Sequence, residues 1–251
     1  MQHTLDQLKD LRLIGLLEAW QEQQAHPTFH NLTFDERFAL IVEREHLRRQ
    51  QQRLFRRLQQ AKLPISASLE QVDFNVPRGL HKTQFLELAQ GQWLQNHLSL
   101  ILLGPTGVGK TFLATVLADL LCRQGVTVRY CKTADLLLEL KLAKADGSFA
   151  KLRQQLAACC LLILDEWLRD PLLLNEAREL LDLLDSRYRQ SSCLFATQVP
   201  VDQWHPQILD PTLADAILDR IVHDSLRLCL KGESMRKLTS KLHPSTLENH
   251  S

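Results

Sequence analysis

The stretch Gly104-Pro105-Thr106-Gly107-Val108-Gly109-Lys110-Thr111 has the residue types and spacing needed to hold a polyphosphate. Glycines at the first and sixth positions let backbone close around a phosphate. Backbone N–H groups and a helix N-terminus then supply the partial positive charge. Lys110 is placed to reach the β- and γ-phosphates, and the Thr111 hydroxyl to bind Mg²⁺. About fifty residues on, the apolar run Leu161 to Leu164 ends in Asp165-Glu166. An Asp at the end of a buried strand can hold the water shell of Mg²⁺. The Glu that follows can polarise water for attack on a γ-phosphate. Two acids after a buried strand also occur as a simple helix cap. Paired with the glycine loop, they point to nucleotide hydrolysis.

Chemistry of this kind needs a scaffold, and the flanking sequence predicts one. Residues 98–103 read as a buried strand before the loop. Phe112 to Leu121 is apolar at helical spacing after it. Further strands are predicted at 126–131, 160–165, 193–197 and 225–230. Helices are predicted at 81–97, 133–157 (interrupted at Asp146-Gly147), 172–190 and 211–223. Strands alternating with helices imply an α/β fold with a doubly wound parallel sheet, in which ligands sit at the carboxyl ends of the strands. Gly104, Asp165 and Gln198 all follow predicted strand ends and can converge there.

Ahead of this pattern the chain is helical. Residues 4–25 read as one amphipathic helix opened by a Thr4/Gln7 capping box, and Thr33 with Glu36 opens a second, longer helix. Pro64 and Ser66-Ala67-Ser68 read as a linker. The expected division is an N-terminal helical domain at 1–65, serving assembly and DNA or partner contact, and an ATPase domain at 66–251.

The 251 residues carry a net charge of +1, so bulk charge does not announce a polyanion partner. Local charge does. Residues 44–62 hold seven basic side chains against one acid, Glu45. Arg49, Arg53, Arg56 and Arg57 share a helical face suited to a DNA backbone; the other readings are a solvated helix or one that pairs with acids on a neighbouring subunit. Lys141, Lys144, Lys151 and Arg153 around Asp146 to Phe149 form a second candidate DNA surface, or else a plain surface hairpin. Trp20 reads as packing, and Trp167 and Trp204 as packing or contact surface. The six cysteines form no Cys-x-x-Cys pair and read as reduced residues of a cytoplasmic protein. No apolar run is long enough to span a membrane.

The glycine loop, Leu161 to Glu166, Thr197-Gln198, the run from Asp210 to Val222, and Gly232-Glu233-Ser234-Met235-Arg236 together resemble an AAA+ ATPase of the IstB type, the helper encoded beside the transposase in bacterial insertion sequences. DnaC-type helicase loaders are related. The resemblance implies ATP with Mg²⁺ (Thr111, Asp165), held by Gly104 to Phe112, and catalysis by Lys110, Asp165 and Glu166. Gln198 stands where the family often has an Asn sensor of the γ-phosphate. Arg220 aligns with the arginine finger given to a neighbouring subunit; the alternative is a solvated helix Arg paired with Asp219 or Asp224. Arg236 resembles a second sensor arginine. Few residues follow the last strand, which implies a reduced or absent lid. The implied partners are duplex DNA, an IstA-type transposase and further copies of the chain. A replicative helicase loader is the nearest alternative; a nucleotide or metabolite kinase and a scaffold with structural ATP are more distant ones.

Overall fold

The computed structural model describes residues 2–235 and Lys237. Two compact units divide the chain, Met1–Arg56 and Arg57–Ser251.

The first unit is helical. The predicted helix at 4–25 is two helices, α1 (Gln2–Asp10) and α2 (Ile14–Ala25). The break falls at Arg12, whose φ of 57° is left-handed and ends α1. The Leu spacing runs on through the break, so periodicity alone hides it. Thr4 lies inside α1, so the expected Thr4/Gln7 capping box is not formed. The second capping box is formed. Thr33 N–H donates to the Glu36 carboxylate at 2.8 Å, and Glu36 N–H donates back to Thr33 Oγ1 at 3.3 Å. It opens α3 (Phe34–Ala61). The Glu45 carboxylate accepts from Gly15 N–H (2.7 Å), Leu16 N–H (3.2 Å) and Arg49 Nε (2.6 Å). It thereby satisfies N–H groups of the first turn of α2, which no residue of α2 can reach. These contacts hold its carboxyl below the ordinary glutamate range, against the opposing effect of burial.

The second unit is built on five parallel strands: β1 (Ser99–Leu103), β2 (Val128–Lys132), β3 (Leu161–Asp165), β4 (Ser192–Thr197) and β5 (Ser225–Cys229). Their order is β2-β3-β4-β1-β5. Every residue of β3 and β4 is buried, which explains why these strands read as unbroken apolar runs rather than alternating ones. The predicted helix at 81–97 is split into α4 (Lys82–Ala89) and α5 (Gln92–Gln95) by Gly91, at a left-handed φ of 76°. The remaining helices are α6 (Lys110–Arg123), α7 (Thr133–Asp146), α8 (Phe149–Ala158), α9 (Leu174–Arg187) and α10 (Pro211–Val222). The predicted interruption at Asp146-Gly147 separates α7 from α8, with Gly147 left-handed at φ 79°.

Trp167 and Trp204 are fully buried and pack edge-on, with ring centroids 6.0 Å apart; Phe195 lies 4.9 Å from Trp167. They are core residues beneath the strand ends. Such aromatic pairs contribute about 0.5–1.5 kcal/mol each beyond their burial. Cys122, Cys131, Cys159 and Cys193 are buried thiols, while Cys160 and Cys229 are exposed, and none is in a disulfide. Burial pushes the Cys122 thiol up to about 11, which keeps it an inert core group. No helix among the described residues is long and apolar enough to cross a membrane.

Candidate functional site

Strand β4 lies between β3 and β1, so the carboxyl ends of all three stand side by side. Gly104 follows β1, Glu166 follows β3 and Gln198 follows β4. Gly104 N–H donates to the Thr197 carbonyl at 3.1 Å, which ties the loop to the neighbouring strand end. The loop turns through Gly107 (φ 82°) and Gly109 (φ 101°) into α6. A Cβ on Gly107 would stand 2.3 Å from the Ser234 Oγ, so both dihedral and space demand glycine. Met235 N–H donates to the Gly107 carbonyl at 2.9 Å, bringing the chain after β5 against the loop.

Lys110 Nζ bonds the Gly104 and Pro105 carbonyls at 2.7 and 2.9 Å. Its ammonium thus bridges the mouth of the loop where anionic oxygens would enter. Burial pulls its pKa below the usual lysine range, and the nearby Asp165 charge offsets part of this. Thr111 Oγ1 donates to Asp165 Oδ2 at 2.6 Å, and the Tyr130 hydroxyl donates to the same oxygen at 2.7 Å. Thr133 Oγ1 donates to the Asp165 main-chain carbonyl at 3.0 Å. Burial, then Asp165, raises the Tyr130 hydroxyl far above the tyrosine range, so it remains a donor. The Thr111 hydroxyl and the Asp165 carboxylate form a set of hard oxygens that fits Mg²⁺.

The other predicted residues are engaged elsewhere. Glu166 sits at a left-handed φ of 55° and donates its N–H to Asp165 Oδ1 at 2.8 Å. Its carboxylate pairs with Lys132 at 3.2 Å and with Arg169. Gln198 Oε1 accepts from the Thr106 hydroxyl, across the mouth of the loop. Arg220 pairs with Asp185, bonds the Ala216 carbonyl at 2.9 Å and approaches Asp219 at 4.0 Å. Of the two acids foreseen for it by sequence, Asp219 is near, but Asp185, distant in sequence, is the principal partner. Phe112 is half-buried in the first turn of α6. Arg236 lies outside the described residues.

The candidate DNA residues divide. Arg53 and Arg56 are exposed and make no ion pair among the described residues, whereas Arg49 pairs with Glu45. Arg57 belongs to the second unit, where its guanidinium bonds the Cys122 carbonyl. On the α7–α8 hairpin, Lys144 bonds Glu179 at 2.5 Å. Lys144 and Arg153 also flank the Phe149 ring, at 4.9 and 5.8 Å from its centroid. Lys141 and Lys151 are exposed.

Sequence reasoning passed over Tyr130, Thr133, Lys132, Arg169 and Asp185. Only Arg169, three residues after Glu166 and so within reach of it around a turn, carried a local signal.

The chain matches the model of the family described as IstB-like ATP binding protein over residues 6–243. It is 40% identical over 234 residues to the insertion sequence ATP-binding protein y4pL of Sinorhizobium fredii, covering 93% of this chain and 96% of that one. It is 43% identical over 200 residues to the insertion sequence IS1162 ATP-binding protein of Pseudomonas fluorescens, covering 79% and 87%. Among solved structures, DnaI has a similar fold with a TM-score of 0.57 and 21% identity, covering 65% of this chain and 90% of that one. AMPPCP-bound DnaA from Aquifex aeolicus gives 0.55 and 18%, covering 75% and 58%.

Proposed function

The chain belongs to the family of IstB-like ATP-binding proteins and is an ATPase of the AAA+ P-loop fold, and from that premise we propose that it is an ATP-dependent, DNA-binding helper of transposition. It assembles on duplex target DNA, remodels it and recruits its partner transposase, with hydrolysis as the release step. The observation that carries the catalytic part is the 2.6 Å bond joining Thr111 on the phosphate loop to Asp165 on β3. It brings two distant segments to one point at the carboxyl edge of the sheet. The insertion-sequence relatives favour the transposition helper over the helicase-loader reading.

In this reading Gly104 to Thr111 wrap the ATP phosphates, with Phe112 in the adjoining helical turn. Lys110 exchanges its carbonyl partners for phosphate oxygens. Thr111 and Asp165 would hold Mg²⁺, which would supply positive charge to offset that of the phosphates. Glu166 leaves Lys132 and Arg169 to act as the base for the attacking water. Gln198 senses the γ-phosphate from beside Thr106. Arg220 leaves Asp185 and reaches the ATP of the adjoining copy, where it steadies charge on the transferred phosphoryl group. ATP would then favour the assembled arrangement, because only there does it touch two subunits. Arg49, Arg53 and Arg56, with the Lys141, Lys144, Lys151 and Arg153 hairpin, supply phosphate-backbone contacts; Arg57 adds to them only if it leaves the Cys122 carbonyl. Arg236 would serve as a second sensor.

The test is duplex-DNA binding with Mg²⁺ and ATP, compared with ADP, read by electron microscopy and by affinity against salt. Multi-subunit particles on DNA with ATP alone are expected. Exchanging Arg53 and Arg56 together for Ala should lower the salt slope by about 2. Purified protein that stays monomeric and binds DNA equally with either nucleotide would overturn the proposal.

A further inference from the structure

One charged side chain beside the phosphate loop has no role in the chemistry above. Arg78 lies in the irregular segment ahead of α4 and is only 3% exposed. Its backbone is fixed on both sides. Its N–H donates to the Val76 carbonyl at 2.8 Å, and its carbonyl accepts from Lys231 N–H, also at 2.8 Å. The guanidinium is thereby held in place, with Nη1 on the Val108 carbonyl at 3.1 Å and Nη2 on the Asp73 carbonyl at 3.1 Å. Nε is buried with no partner, and no ion pair to Arg78 exists among the described residues. The Asp73 carboxylate is turned instead onto Asn75 N–H at 2.8 Å.

A buried guanidinium bonded only to carbonyls is an incomplete arrangement. Neutral acceptors do not return what a cation loses on leaving water, and native structures rarely leave such a charge without an opposite one. Burial accordingly pulls the Arg78 pKa below the usual arginine range, only partly countered by Asp73. A place for the missing negative charge lies one peptide away. The carbonyl that Arg78 Nη1 bonds belongs to the Val108–Gly109 peptide, and no cis peptide occurs among the described residues. In a trans peptide the C=O and N–H point in opposite directions. With the carbonyl on Arg78, the Gly109 N–H faces the concave side of the loop, where a phosphate would sit. Gly109 is needed for a second reason: a Cβ there would stand 2.9 Å from Arg78 Nη1.

We infer that Arg78 is a positioning cation of the nucleotide site, which clamps and polarises the Val108–Gly109 peptide so that its N–H binds phosphate, and whose own charge is balanced by that phosphate. A cation on the carbonyl strengthens the N–H on the far side of the same peptide. The effect is electrostatic and therefore grows with the number of phosphate charges on the ligand. The inference rests on the reading of Gly104 to Thr111 as the ATP site.

The experiment compares Arg78→Met, Arg78→Lys and Lys110→Ala with the parent protein. It measures dissociation constants of fluorescent ATP, ADP and AMP analogues, and the nucleotide-induced rise in melting temperature. Arg78→Met should weaken ATP and ADP by about tenfold or more, the size of one charge-assisted hydrogen bond. AMP should change less than about twofold, and the melting rise with ATP should shrink in step. Arg78→Lys should restore most of the ATP affinity. If Arg78→Met does not fold, Arg78→Gln keeps an N–H for the Val108 carbonyl without the charge and should show the same phosphate-dependent loss. Equal weakening of all three nucleotides would mean that Arg78 only supports the chain, and would overturn the inference. So would unchanged ATP affinity in Arg78→Met while Lys110→Ala loses binding. Unchanged binding in Lys110→Ala would instead sink the reading of the loop itself.

Discussion

On the phosphate-loop side the polar side chains bond within the site itself. Lys110 closes on its own loop, Thr111 meets Asp165, and Tyr130 holds the same carboxylate. The remaining candidate groups have partners outside this cluster: Glu166 after β3 is held by Lys132 and Arg169, Gln198 after β4 by Thr106, and Arg220, near the end of α10 just before β5, by Asp185. The first side is organised for binding before any ligand arrives. In the proposed mechanism the second set must exchange partners, which are a neutral hydrogen bond for Gln198 and partly exposed ion pairs, of small worth, for Glu166 and Arg220. In that mechanism the division would let ATP be retained until Glu166 and Arg220 leave these partners.

The comparison breaks most sharply at Arg220. Arg220→Ala should bind ATP as the parent does, yet lose roughly 10³-fold or more of assembly-stimulated hydrolysis. Restored turnover on mixing with Glu166→Gln protein would establish action between copies; a parental rate in Arg220→Ala alone would remove it from the chemistry. Next in size, Glu166→Gln should keep ATP affinity and slow single-turnover hydrolysis by about 10²- to 10⁴-fold. Hydrolysis at the parental rate would reassign the base. On the organised side, Tyr130→Phe removes one bond to Asp165, a loss of about 0.5–1.5 kcal/mol, and should shift the Mg²⁺ dependence of ATP binding several-fold. A change confined to turnover would place Tyr130 with the other group. Smallest of all, Asp185→Asn frees Arg220 from a partly exposed pair worth about 0.2–1 kcal/mol. It should raise assembly-stimulated turnover by at most about fivefold, and a decrease would mean that the pair itself belongs to the working state.

The strands and the phosphate loop were the most legible parts. The strands were visible because buried parallel strands are uninterrupted apolar runs, and the loop because its glycines sit at fixed offsets from Lys110. Asp165 and Glu166 were visible as the acids closing such a run. Partners distant in sequence were not. Asp185 reaches Arg220 only because α9 packs beside α10, and Tyr130 reaches Asp165 only because β2 pairs with β3. The helix breaks at Arg12 and Gly91 were hidden by leucines and polar residues that continue the helical rhythm across them. Arg57 shows the limit of helical spacing: its offset groups it with Arg53 and Arg56, yet a carbonyl from α6 claims its guanidinium. Arg78 had no signal at all, because nothing in an irregular segment marks which arginine will be enclosed.

Trp167 follows Glu166 directly, packed on Phe195 and Trp204, with its indole N–H unpartnered among the described residues. Any swing of the acid turn must tug this ring against its aromatic neighbours and alter the environment of the indole. Trp167, one of four tryptophans, thus stands as an internal lamp beside the candidate base, and an ultraviolet emission change that Trp167→Phe abolishes should register the proposed release of Glu166 without any attached dye.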